Sequence, residues 1–144
     1  MRNKEEEQHC VAFFEWCQLQ ANVWPELKLI HHIPNGGMRP KETDAKGKSY
    51  SPEGARLKRM GAKKGVLDYN LSVPSMLMGA LRPGLWLEFK AKGRTLTPDQ
   101  REFAAALEQQ GHVVFVAYDW EAAKGYVTQY LGMPEAAIIN GRKQ

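Results

Sequence analysis

Two apolar runs of strand length, held apart by a stretch rich in breakers, constrain this chain more than anything else in it. The first reads Gly65-Val66-Leu67-Asp68-Tyr69-Asn70-Leu71 and the second Leu85-Trp86-Leu87-Glu88-Phe89-Lys90, with prolines and glycines between Pro74 and Pro83. Such a pattern predicts neighbouring strands of one sheet. Side chains alternate between the faces of a strand, so Leu85, Leu87 and Phe89 turn to the core while Trp86, Glu88 and Lys90 share the other side. Asp68 can join them from the adjoining strand. Two carboxylates and an ammonium converging on one sheet face suit a hard divalent cation, which takes oxygen ligands and commonly uses one or two carboxylates plus phosphate oxygens.

An Asp, a gap of about twenty residues and Glu-x-Lys resembles the PD-(D/E)xK nuclease signature, with Asp68, Glu88 and Lys90 in the motif positions. The flanks narrow the likeness. Gly65-Val66-Leu67-Asp68, Leu87-Glu88-Phe89-Lys90 and Leu96-Thr97-Pro98-Asp99-Gln100, followed by an Ala/Leu helix, are similar to the VRR-NUC family, the virus-type replication and repair nuclease module in its stand-alone phage and bacterial form. The likeness runs to about Leu131, giving one nuclease domain over 1–131 and a tail over 132–144. Where the family has Pro-Asp this chain has Leu67-Asp68, a change that shapes the strand end and spares the carboxylate.

The resemblance implies an α/β fold, a mixed central β-sheet flanked by helices with a restriction-endonuclease-like core. It also implies Mg2+- or Mn2+-dependent cleavage of DNA phosphodiesters, with branched DNA such as a four-way junction as substrate and a homodimer as the working form. Asp68 and Glu88 would hold the metal, with the Phe89 backbone carbonyl as a further ligand and Glu6 contributing through water. Lys90 would orient or polarise the attacking water, or neutralise the phosphate. Gln100 matches a family glutamine near the active site, and the Pro34-Asn35-Gly36-Gly37 turn resembles one that brings Asn35 to substrate. Relatives that act as monomers on flaps, and a non-catalytic DNA-binding module of the same fold, are the alternatives; a structural protein with Glu88 and Lys90 as an idle surface pair is a third.

Charge supports a polyanionic partner. Between Met38 and Lys64 nine Lys or Arg face three acids, a local excess of +6 in a chain whose total is +4, so the rest is net acidic. Within and beyond that segment Arg39, Lys58, Lys63, Lys64, Lys92 and Arg94 are the candidate DNA contacts. No apolar run approaches the roughly 20 residues of a membrane span, and the charged start does not resemble a signal peptide. The expected setting is the cytoplasm of a bacterial cell, host to phage or prophage. Cys10 and Cys17 lie on one predicted helix, about 10 Å apart along its axis and too far for a disulfide within it, so they read as buried thiols.

Taken in order, Lys4–Gln20 is a helix with Cys10, Phe13, Phe14 and Cys17 on one face, and extending that stripe back one turn selects Glu6 among Glu5, Glu6 and Glu7. Leu27–Ile33 is the first strand; His31 and His32, facing opposite sides, do not form a shared metal site, and no Cys/His spacing suits zinc. Met38–Tyr50, without apolar periodicity, is expected to be a loop that orders on DNA. Ser51-Pro52-Glu53-Gly54 starts a helix that runs to Met60. Thr97, Pro98 and Gln100 form a capping box for the next helix, and Gly111 ends it. Val113–Ala117 is a fully buried strand, and Asp119 caps a last helix to Leu131 that carries Tyr126 and Tyr130 on one stripe.

Overall fold

In the computed structural model of the chain, which describes residues 3–34 and 42–134, the two charged strands lie side by side at the centre of a four-stranded sheet. The elements are α1 (Lys4–Gln20), a 3-10 turn (Pro25–Leu29), β1 (Ile30–His32), β2 (Glu42–Thr43), β3 (Ser49–Tyr50), α2 (Pro52–Arg59), β4 (Tyr69–Leu71), β5 (Ser75–Leu77), β6 (Ala80–Arg82), β7 (Leu85–Phe89), α3 (Pro98–Gln109), β8 (Val113–Ala117) and α4 (Trp120–Leu131). The sheet runs β1-β4-β7-β8, antiparallel for β1/β4 and β4/β7 and parallel for β7/β8. The parallel pair is joined through α3, the crossover helix such a pair requires.

Alternation along β4 and β7 sorts the two faces. Tyr69, Leu71, Leu85, Leu87 and Phe89 are buried against Phe13, Trp16 and Cys17 of α1 and Ala123, Val127 and Tyr130 of α4. Phe13 lies at the middle, 5.3 Å from Tyr69 and 5.6 Å from Phe89 between ring centroids. Cys10 and Cys17 are buried thiols outside any disulfide, and burial pushes the Cys17 thiol up, so it acts as a small apolar group. On the opposite face Trp86 meets Phe103 of α3 edge to face at 5.8 Å.

Several elements depart from the sequence reading. The expected strand Leu27–Ile33 is cut to Ile30–His32 because Pro25 opens a 3-10 turn over the preceding residues. The stretch expected to be a loop before Tyr50 contains a hairpin, β2 with β3, whose turn is held by Asp44 accepting from the Lys46 and Lys48 amides at 2.9 and 2.8 Å. The breaker-rich connection folds into a second hairpin, β5 with β6, around Met78 and Gly79, both at positive φ, a two-residue turn that hairpins favour. Val113–Ala117 is mostly half-buried, because β8 is an edge strand paired on one side only. Helices α2, α3 and α4 match expectation at their caps: Ser51 accepts from Gly54 N, Thr97 from Gln100 N and Asp119 from Ala122 N. Met133, past the expected domain end, is buried in the core, and the rest of the tail, 135–144, lies outside the described residues. No described helix is long and apolar enough to cross a membrane.

Candidate active site

The β4/β7 register, which pairs Tyr69 with Leu87, brings Asp68, just ahead of β4, to Glu88 of β7, whose carboxylate meets Gln100 of α3. Each is tied to the other's strand. Asp68 N donates to Glu88 Oε2 at 3.0 Å, and Phe89 N donates to Asp68 Oδ2 at 2.8 Å. Asp68 is only 4% exposed and Glu88 3%. Burying a carboxylate is costly unless hydrogen bonds replace its water, so this reciprocal pair of backbone bonds is what lets two acids sit together here. Lys90, two residues on and on the same face, brings Nζ to 3.8 Å from Glu88 Oε1.

Gln100 enters from the first turn of α3. Its Oε1 accepts from Thr97 N at 2.9 Å, closing the capping box, which turns its Nε2 outward to donate to Glu88 Oε1 at 2.9 Å. One amide therefore starts the helix and holds the carboxylate. Gly65 allows the approach: its φ is +86°, and a Cβ there would run into the Asp99 carbonyl and the Gln100 amide. The segment that carries Lys63 and Lys64 is in this way pressed onto the start of α3 within a few residues of Asp68.

Glu6 reaches the site from α1. It is half-buried while Glu5 and Glu7 are exposed, and its Oε1 accepts from Ala91 N at 2.7 Å, fixing the chain just after Lys90. Asp68, Glu88, Lys90 and Gln100 are thus brought together, while Glu6 is fixed on the Ala91 amide one residue past Lys90 and does not form a three-carboxylate cluster with Asp68 and Glu88. Phe89 contributes only backbone, since its ring is in the core. Lys58, Lys63, Lys64, Lys92 and Arg94 are all exposed, the last two on the turn that follows Lys90. Asn35 and Arg39 lie outside the described residues.

One contributor escaped the sequence. The Asp68 carbonyl accepts from Ile33 N at 2.7 Å and from His32 Nδ1 at 2.9 Å, so the β1 edge pins the residue whose side chain faces the site. A carbonyl only accepts, which makes Nδ1 the protonated ring nitrogen. No local signal marks His32 for this; it depends on the β1/β4 register.

Asp68, Glu88 and the Phe89 carbonyl are hard oxygen donors, and among the described residues no group of three or more His, Cys, Asp or Glu side chains is arranged around one ion. That donor chemistry fits Mg2+ or Mn2+, which keep several waters or phosphate oxygens as ligands, better than a metal needing a closed nitrogen and sulfur shell. Two adjacent carboxylates also repel, and a divalent cation relieves that repulsion.

The fold has a counterpart among solved structures. A protein described as "VRR_NUC domain protein" superposes with a TM-score of 0.69 over 92% of this chain and 93% of that one, at 23% sequence identity. The chain has the VRR-NUC fold. No family model and no curated protein matches it. The reciprocal Asp68–Glu88 pair sits at the two central strands of this chain's sheet, Asp68 just ahead of β4 and Glu88 within β7.

Proposed function

We propose that the protein is a divalent-metal-dependent deoxyribonuclease that hydrolyses phosphodiester bonds in branched DNA, a four-way junction being the substrate class and a homodimer the working form. The observation that carries this reading is the buried Asp68–Glu88 pair with Lys90 3.8 Å from Glu88 and Gln100 bonded to the same carboxylate. Binding alone would not call for two acids in so enclosed a place.

Asp68 and Glu88, with the Phe89 carbonyl, would hold Mg2+ or Mn2+, which when bound supplies an acidified water and neutralises charge on the phosphate. Lys90 stands where it can orient that water or meet the phosphate oxygens. Gln100 keeps the Glu88 carboxylate from rotating, and Glu6 keeps Ala91, and so the base of the Lys90 turn, in place. Exposed Lys63 and Lys64 on one side and Lys92 and Arg94 on the other offer charge to the DNA backbone as it passes the site. One such site cuts one strand, whereas resolving a junction takes two symmetric cuts, so two subunits about a two-fold axis match the task. The buried reduced thiols agree with a cytoplasmic setting in a bacterial cell.

The test is a cleavage panel of linear, flap and four-way DNAs with Mg2+, Mn2+ or Ca2+. Metal-dependent cutting of junctions by a species of twice the 16.3 kDa chain mass in light scattering is expected. No cutting of any DNA with Mg2+ or Mn2+ would refute the nuclease reading, and a monomer that prefers flaps would refute the junction and dimer.

A further inference from the structure

We infer that Tyr118 is a stacking platform for a nucleobase beside the cleaved phosphate, and so a determinant of which DNA the site accepts; this rests on the nuclease reading above. The parallel pairing of β7 with β8 aligns Phe89 with Ala117, and the pairing continues one step further because Lys90 N donates to Ala117 O at 3.0 Å. Tyr118 follows at once, one residue past β8, and its hydroxyl bond to the Arg94 carbonyl keeps it beside the turn that follows Lys90.

A tyrosine at that point is not part of the core. The residue is 42% exposed, just past β8, whose own residues are half-buried or buried. Its hydroxyl is nonetheless fixed, donating to the Arg94 carbonyl at 2.8 Å. The bond does two things. It holds the ring in one orientation, so little side-chain freedom is lost on binding. It also ties the Lys92–Arg94 turn, with its two exposed cations, to the end of β8. An anchored aromatic ring bonded to a turn that carries two exposed cations is a combination by which proteins hold single-stranded or splayed nucleotides: cations follow the backbone and the ring takes a base. A base is free to stack in this way only where pairing is interrupted. The arrangement therefore selects DNA with an unpaired or distorted nucleotide next to the scissile phosphate, as a branch point provides.

Steady-state cleavage by Tyr118→Ala, Tyr118→Phe and Tyr118→Trp tests this, together with the fluorescence of 2-aminopurine placed at each nucleotide flanking the cut in DNA bound in Ca2+. Stacking on an aromatic ring is removed in Tyr118→Ala, so KM is expected to rise roughly 5- to 150-fold with kcat changed far less, and one 2-aminopurine position to brighten on the variant relative to wild type. Tyr118→Trp, which keeps a large ring, is expected within about threefold of wild type. Tyr118→Phe keeps the face and loses the anchor, and is expected to fall between the two. Equal KM values for wild type and Tyr118→Ala, with every 2-aminopurine position unchanged, would overturn the stacking role while leaving the nuclease intact. A wild-type protein that neither binds nor cuts DNA would overturn both.

Discussion

Gln100 joins helix capping to the carboxylate pair, and one substitution can separate the two. In Gln100→Glu a carboxylate oxygen still accepts from Thr97 N, since Glu serves a capping box as well as Gln does, so α3 keeps its start. The other oxygen replaces an N–H donor 2.9 Å from Glu88 Oε1. A hydrogen bond to a buried charged group, worth about 1.5–3 kcal/mol, is lost. Repulsion between like charges is added, up to about 4 kcal/mol at 4 Å for an effective dielectric of 20, before the exposed side of Gln100 relaxes. A net loss of about 2–4 kcal/mol is expected, a fall in Tm of roughly 6–12 °C for a domain of this size. The assay is thermal unfolding in a metal chelator, from neutral to acid pH, beside Gln100→Ala. Facing carboxylates bind a proton more tightly in the folded than in the unfolded state. The deficit of Gln100→Glu relative to wild type is therefore largest at neutral pH and shrinks as the pH falls into the carboxylate range, where the shared proton restores a hydrogen bond. Gln100→Ala loses the donor to Glu88 but adds no like charge, so its deficit should be smaller at neutral pH and shrink less as the pH falls. A Gln100→Glu protein as stable as wild type at neutral pH would refute the bridge between α3 and Glu88.

Asp68→Asn and Lys90→Ala are each expected to reduce Mg2+-dependent cleavage at least about a thousandfold with an unchanged circular dichroism spectrum, measured on the preferred DNA; near wild-type cutting would remove them from the catalytic set. Ca2+ should support binding by the wild type with little cleavage. Replacing Lys63 and Lys64 by Ala should weaken binding to all sequences and lower the salt slope by about one unit for each phosphate no longer neutralised, as read by a titration over ionic strength. Gly65→Ala, which needs both a positive φ and a Cβ where the Asp99 carbonyl lies, is expected to cost about 2–4 kcal/mol in urea unfolding and to lower cleavage with it.

The parts of the site that follow from local rules were legible in the chain. Alternation alone puts Glu88 and Lys90 on one face of β7, and Thr97-Pro98-Asp99-Gln100 announces the cap of α3. The stripe through Cys10 and Phe13 selected Glu6 from three glutamates, and that residue alone of the three is half-buried. What stayed hidden depends on distant partners. That Gln100 uses its free amide end on Glu88, that Gly65 is pressed against Asp99, and that His32 donates to the Asp68 carbonyl all follow from how strands and helices pack, across separations no window detects. The expected burial of Val113–Ala117 failed because an apolar run reads the same in an inner strand and at an edge. The hairpins β2/β3 and β5/β6 were missed because strands of two or three residues leave too short an alternation to see.

The hydrogen bond from Ala91 N to Glu6 spans 85 positions of the chain, and the Phe89–Asp68 and Asp68–Glu88 bonds span 21 and 20. Contacts so far apart in sequence close late, because each must overcome the entropy of a long loop before its own energy counts. A chain still folding can thus hold its helices, and even the central hairpin with its Asp68–Glu88 pair, before Glu6 fixes the turn after Lys90. Cutting ability would arrive with the last long-range closure and not before, so the return of activity during refolding should lag the return of helical signal, and a half-folded molecule would be harmless to the DNA around it.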